Sequence, residues 1–189
     1  MKTFATAALL AAAAFAAQAE PVTYKVDATH AAAFYEIGHF ATSTNRGRFP
    51  VKEGSVTIDR AAKAGKVDIT LDMAGVNSGV AAMDKHLRGS DFFSTDQYPT
   101  ARFVADRFEF KGDKVEKVHG SLTMLGKTHP VTLEAERFNC YQNPMLKREV
   151  CGGDFETTIK RSLWGVNYGL EYGFADEVEM QIQVEAVRQ

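Results

Sequence analysis

Between Val67 and Met73 the side chains alternate without a break: Val67, Ile69, Leu71 and Met73 are apolar, while Asp68, Thr70 and Asp72 are polar. A β-strand with one dry and one wet face requires this period of two, whereas apolar positions on a helix recur every three to four residues. The pattern returns at Val22, Tyr24 and Val26, and again at Val178, Met180, Ile182 and Val184, which interleave with Glu179, Gln181 and Gln183. Further strands are expected over 32–40, 55–59, 101–110, 115–125, 131–138 and 154–160. Gly112-Asp113 and Gly126-Lys127 supply hairpin turns, and Pro130 is expected at the start of its strand, because proline has no N–H to give a ladder.

One stretch, 83–103, breaks the alternation. It takes in most of the only plausible helical turn, which runs over 81–88 and is stopped by Gly89, then the adjacent Phe92 and Phe93 and a Tyr98-Pro99 turn. An interruption among strands is where a barrel is plugged, hinged or opened, and we read this one as the cover of an internal apolar cavity. A Gly- and aromatic-rich connection, 162–173, leads into the last strand. The chain is therefore all-β: about eight antiparallel strands, one short helix, no βαβ rhythm and no repeat, which means a sandwich or barrel. Eight strands enclose a space that is either filled by side chains or holds one small ligand, and the sequence leaves that choice open.

Residues 1–19 stand outside this domain. Lys2, an alanine-rich apolar run and Ala17-Gln18-Ala19 read as a cleaved secretory signal, with processing after Ala19 and delivery to the periplasm. Its removal leaves 170 residues carrying 21 basic and 24 acidic groups, enough for one well-buried domain over 20–189. No basic block stands out, which argues against nucleic acid or an anionic membrane surface as partner. No run reaches eighteen apolar residues, so stable membrane insertion is not expected. Cys140 and Cys151, the two cysteines of an exported chain, read as a disulfide around a short loop containing Asn143-Pro144.

Five scattered histidines, with Asp84 and Asp91, are the candidates for metal or hydrolytic chemistry. None has the spacing that puts two ligands on one helical face, and neither a nucleophile elbow nor a phosphate loop occurs. Asp84 and His86 are expected to serve the local structure, as a helix cap and a loop hydrogen bond; an enzyme using Asp84 and His86 is the alternative, and a filled barrel working through its surface a third reading. Arg88 and Arg161 suit an anionic head group, since guanidinium forks onto paired oxygens, with an ion pair from Arg88 to Asp91 as the bland alternative.

Several ordered motifs resemble one known family. They are Asp27-x-x-His30, His39 and Gly47-x-Phe49; Asp84-x-His86-Leu87-Arg88-x-x-Asp91-Phe92-Phe93 with Tyr98-Pro99 and Phe103; Gly120-x-Leu122-Thr123-x-x-Gly126-x-Thr128-x-Pro130; and Arg161-x-x-x-Gly165. The chain resembles YceI-like proteins, bacterial polyisoprenoid-binding proteins, over essentially its whole mature length. Ala31 and Trp164 depart from the family's usual Ser and Phe. The resemblance implies an extended, lipocalin-like barrel that binds a long isoprenoid chain, such as a polyprenyl phosphate or a quinone tail, without catalysis and without a cofactor. The expected cavity wall comprises Phe34, Ile37, Leu87, Phe92 and Phe93 in the first half of the chain. Phe103, Leu122, Trp164, Met180 and Ile182 complete it. The expected polar mouth is His86, Arg88 and Arg161. A homodimer through β-edge contacts is left open.

Overall fold

A computed structural model describes residues 20–189; the signal sequence expected over 1–19 lies outside them. The strands are β1 Val22–Val26, β2 Ala32–His39, β3 Ser43–Asp59, β4 Ala64–Asp72, β5 Thr100–Lys111, β6 Lys114–Met124, β7 Lys127–Asn143, β8 Arg148–Lys160 and β9 Glu177–Arg188, with helix α1, Ala81–Arg88, between β4 and β5. All pairings are antiparallel, in the order β1-β3-β2-β9-β8-β7-β6-β5-β4, and the further β3–β4 pairing closes the sheet into a barrel.

Nine strands make eight staves. β1 and β2 both lie between β3 and β9, one after the other, so they form a single stave broken by the 3₁₀ turn Ala28–His30. Seven steps of chain from Lys25 to Ala32 oppose only five from Ser55 to Pro50. Asp27 fixes the kink: its carboxylate accepts from the Thr29 N–H at 2.9 Å and the Thr29 hydroxyl at 2.6 Å, and pairs with His30 Nδ1 at 2.8 Å.

Helix α1 spans the residues expected, and the Gly89 N–H closes it on the His86 carbonyl at 2.9 Å. Three strands are longer than expected: β7 and β8 continue through the disulfide hairpin, pairing Asn139–Asn143 with Arg148–Gly152 where a loop was expected, and β3 and the start of β7 extend past a proline. β3 starts at Ser43 rather than 55, and β7 runs from Lys127 to Asn143 with Pro130 inside it. Pro130 faces Ser121 three pairs beyond the tight hairpin pair Met124–Lys127, a position whose N–H points away from β6; on that other side β8 begins pairing only at Glu134. Pro50 is equivalent, since Arg48 two residues before it sends its N–H outward to Asn77, and pairing with β4 begins at Val51. Proline in these places removes no ladder bond.

The two ends of the barrel differ. At one end α1, the loops around it and the connection between β8 and β9 fold over the opening. Leu87, Met73, Val76, Phe49, Tyr35 and Trp164 pack there into the larger core cluster. At the other end the β3–β4, β5–β6 and β7–β8 hairpins and the end of β9 surround the opening. Cys140 and Cys151 face each other across β7 and β8, with Cα atoms 4.1 Å apart, and their disulfide ties the base of that hairpin.

Candidate ligand cavity

The dry faces of the strands do not meet completely. An apolar cavity of about 130 Å³ runs between them, bounded on β9 by Met180, Ile182, Val184 and Ala186 and on β8 by Cys151, Phe155, Thr157 and Ile159. Six residue steps from Met180 to Ala186 correspond to about 20 Å of strand, so the space is long and narrow. Alternation produces this wall directly: Val67, Ile69 and Leu71, the run that identifies β4 as a strand, all line it. Thr157, Gln183 and the Tyr24 hydroxyl are the only polar side-chain groups among the lining residues.

Of the residues expected on the cavity wall, Phe103, Leu122, Met180 and Ile182 line it. Ile37, Leu87, Phe92, Phe93 and Trp164 do not; they belong to the packed end beneath α1. Phe93 meets Phe49 edge-on with centroids 5.2 Å apart, and the Trp164 indole donates to the Leu122 carbonyl at 3.1 Å. Phe34 points outward, pairing in register with Arg48 and Gln181 beside a shallow surface depression. Its parity was hidden by Ala31, Ala32 and Ala33, all buried, because a run of small residues carries no alternation.

The residues expected at the polar mouth stand apart from the cavity lining. Arg161 is 6% exposed and holds a loop together. Its guanidinium donates to the carbonyls of Ala175 at 2.8 Å and of Val166 and Tyr168 at 2.9 Å each. Burial lowers its pKa, partly offset by Asp176. The Asp176 carboxyl is raised by burial but lowered overall, because Ser162 donates two hydrogen bonds to it and Arg161 stands close. His86 sits between Phe92 and Tyr168 with its Nε2 at 3.1 Å from Asp91, the carboxylate expected to pair with Arg88. Asp84 does not cap α1, whose N-cap is Val80; it accepts from the Ser78 N–H and hydroxyl at 2.6 Å each, which lowers its pKa. The lining of the cavity reaches neither His86 nor Arg88. Among the described residues, no group of three or more His, Cys, Asp or Glu side chains is gathered in a metal-binding arrangement.

Polar groups do approach the cavity, at the hairpin end. The Tyr24 hydroxyl donates to Glu149, and Arg60 reaches the same carboxylate at 3.3 Å while lying 3.0 and 3.4 Å from the two disulfide sulfurs. Tyr24 and Cys151 are themselves cavity-lining, so this cluster caps one end of the apolar space. Burial and the Glu149 carboxylate raise the tyrosine pKa; the tyrosine hydrogen bond, with help from Arg60, keeps Glu149 below the usual carboxylate range against its own burial. Sequence reasoning missed all three residues. Tyr24 was visible on the dry face of the first strand, but nothing in the chain links positions 24, 60 and 149 before the barrel closes.

A YceI-like domain model matches residues 24–186. The UPF0312 protein PA0423 of Pseudomonas aeruginosa is 34% identical over 191 residues, covering 100% of this chain and 98% of the relative. A UPF0312 protein of Pseudomonas putida is equally similar, at 34% over 191 residues. Among solved structures, Burkholderia cenocepacia BcnA superposes with a TM-score of 0.67 at 27% identity over 85% of this chain and 99% of its own. A polyisoprenoid binding domain from Saccharophagus degradans shares the fold, with a TM-score of 0.61 at 16% identity over 88% and 98%. With its barrel topology, a match across nearly every described residue and end-to-end relatives at 34% identity, the chain belongs to the YceI-like family.

Proposed function

We propose that the protein is an exported, periplasmic carrier that takes one long apolar chain, an isoprenoid such as a polyprenyl phosphate or quinone tail, into the barrel without transforming it. The observation that carries this reading is the long cavity walled almost wholly by hydrocarbon. Each ligand carbon moved from water to such a wall contributes about 0.8 kcal/mol, so about fifteen carbons contribute roughly 12 kcal/mol gross. Association costs of several kcal/mol are then offset. A polar end group falls naturally beside Arg60, whose guanidinium forks onto anionic oxygens, and the Tyr24 hydroxyl. The name of the Saccharophagus degradans neighbour supports the ligand class.

The space of about 130 Å³ matches what a benzene-sized guest needs. A longer chain therefore displaces flexible lining side chains such as Met180 and Leu122 as it enters. Asp84 and His86 are engaged by Ser78 and Asp91, a local bonding pattern that supports a structural role over a catalytic one. Mass spectrometry of a solvent extract of protein purified from its bacterial host tests the reading: an isoprenoid in near-stoichiometric amount is expected. An extract free of apolar ligand, together with no uptake of a fluorescent polyene lipid, would instead favour the filled-barrel interaction domain.

A further inference from the structure

The loops at the hairpin end come from separate parts of the chain, and each brings cations. Arg60 and Lys63 lie at the β3–β4 turn, Lys111 and Lys114 flank the β5–β6 turn, Lys147 ends the β7–β8 turn with Arg148 next to it, and Arg188 ends β9. The acidic groups facing them are Asp59, Asp113 and Glu149, with Glu20 and the wall residues Glu109 and Glu116 farther out. Most of these are engaged: Asp59 accepts from the Ala62 N–H, Asp113 pairs with Lys63 at 2.9 Å, Glu149 pairs with Arg60, and Glu109 pairs with His119. Lys111, Lys114, Lys147, Arg148 and Arg188 are exposed and form no ion pair among the described residues.

The opposite end leans the other way only by a small margin: Glu36, Asp72, Asp84, Asp91, Asp96, Glu171, Asp176, Glu177 and Glu179 stand there with Arg46, Arg48, Lys85, Arg88, Lys127, Lys160 and Arg161. What sets the hairpin end apart, in a chain of net charge −2, is its group of exposed cations without ion pairs among the described residues. At the same end stands the β7–β8 tip, where Met145 is 87% and Leu146 50% exposed. The tip is held in shape by the Asn143 side chain, which accepts from both of their N–H groups at 3.0 Å, and by the disulfide at the hairpin base. Two apolar side chains on a braced tip, at the same end as five unpaired cations, match the chemistry of an anionic lipid surface: cations meet the phosphates while the tip enters the headgroup layer.

We propose that the hairpin end of the barrel docks on bilayers containing anionic phospholipid, with Met145 and Leu146 inserted and Lys111, Lys114, Lys147, Arg148 and Arg188 on the headgroups. Docking in this pose turns the Tyr24–Arg60–Glu149 end of the cavity toward the membrane. The surface stands independently of what the cavity holds, so its test uses vesicles without added isoprenoid. Co-sedimentation is measured with mixed phosphatidylcholine–phosphatidylglycerol vesicles and with phosphatidylcholine alone. Binding to the mixed vesicles only, weakened by salt, is expected, with a loss of about fivefold in affinity for each cation removed. The Lys147→Glu/Arg148→Glu pair and the Met145→Ser/Leu146→Ser pair are each expected to weaken binding at least about tenfold. The same charge change at the far end, Lys85→Glu/Lys160→Glu, is expected to leave it intact, with thermal melts confirming that every variant is folded. Equal binding to both vesicle types, equal loss in the far-end control, or no binding at all would overturn the proposal; in the last case an acidic protein surface becomes the occupant to seek.

Discussion

Arg161 shows how far a single side chain's role depends on its surroundings. A guanidinium in a Gly- and aromatic-rich connection reads as a free anion receptor, but the fold gives it three backbone carbonyls and shields it from water. Arg161→Met is expected to leave those carbonyls without a donor and to lower stability by about 3 kcal/mol, measured by urea unfolding. Asp27 is a second residue-scale case. Hydrogen bonds from Thr29 and His30 lower its pKa from 3.8 to about 2, and the Asp27 carboxylate raises that of His30 above 6.5. The aspartate contribution is complete above its unfolded value of 3.8 and lost as pH falls through about 2. The histidine contribution is complete below 6.5 and lost as pH rises through its higher folded value. Asp27→Ala should therefore cost about 1 kcal/mol between those limits, with the difference from the parent shrinking toward pH 2 in an acid series of urea midpoints. No shrinkage would show that Asp27 is not the group holding the β1–β2 kink.

At the scale of elements, β5 and β6 approach each other closely at Gly120. A Cβ there would lie 2.5 Å from both the Phe103 ring and the Val104 carbonyl oxygen. Gly120→Ala should cost about 1–3 kcal/mol by overpacking. It should also push Phe103 into the cavity, reducing ligand uptake more than the stability loss alone explains; binding of the fluorescent polyene measured below the variant's melting point separates the two. The β7–β8 hairpin gives the complementary case, a strand pair strengthened from outside the ladder. Replacing both Cys140 and Cys151 by Ser should lower stability by about 3 kcal/mol in urea. Element boundaries followed alternation wherever the dry face was made of large aliphatics, as in β4 and β9. They depart from it at β3 and the start of β7, where each proline sits at a point where no neighbouring strand needs its N–H, and at the facing ends of β7 and β8, where the disulfide segment continues the ladder instead of forming a loop.

For the molecule as a whole, the property at issue is an interior that is neither solid nor wide. A ligand that enters it stabilises the folded state by mass action, about 2.7 kcal/mol at a hundredfold excess over Kd, so added isoprenoid should raise the melting temperature of the parent protein. Ile182→Trp places an indole in the cavity and should abolish that rise while the variant still folds. A rise that persists would place the ligand elsewhere. The same scale holds the convergence of exposed cations on the hairpin end, which no local window of sequence contains.

The sequence by itself determined the all-β class, the stave count, the helix, the disulfide partners and the family, because alternation, turn residues and ordered motifs are local or strictly sequential properties. Only the tertiary structure decided which aromatics line the cavity and which fill its end, that Arg60 rather than Arg161 stands at its polar limit, and that scattered lysines and arginines converge on one rim. Those outcomes depend on which residues closure of the barrel brings together from distant parts of the chain, as it brings Tyr24, Arg60 and Glu149 into one cluster, and that proximity is written in no neighbouring residues.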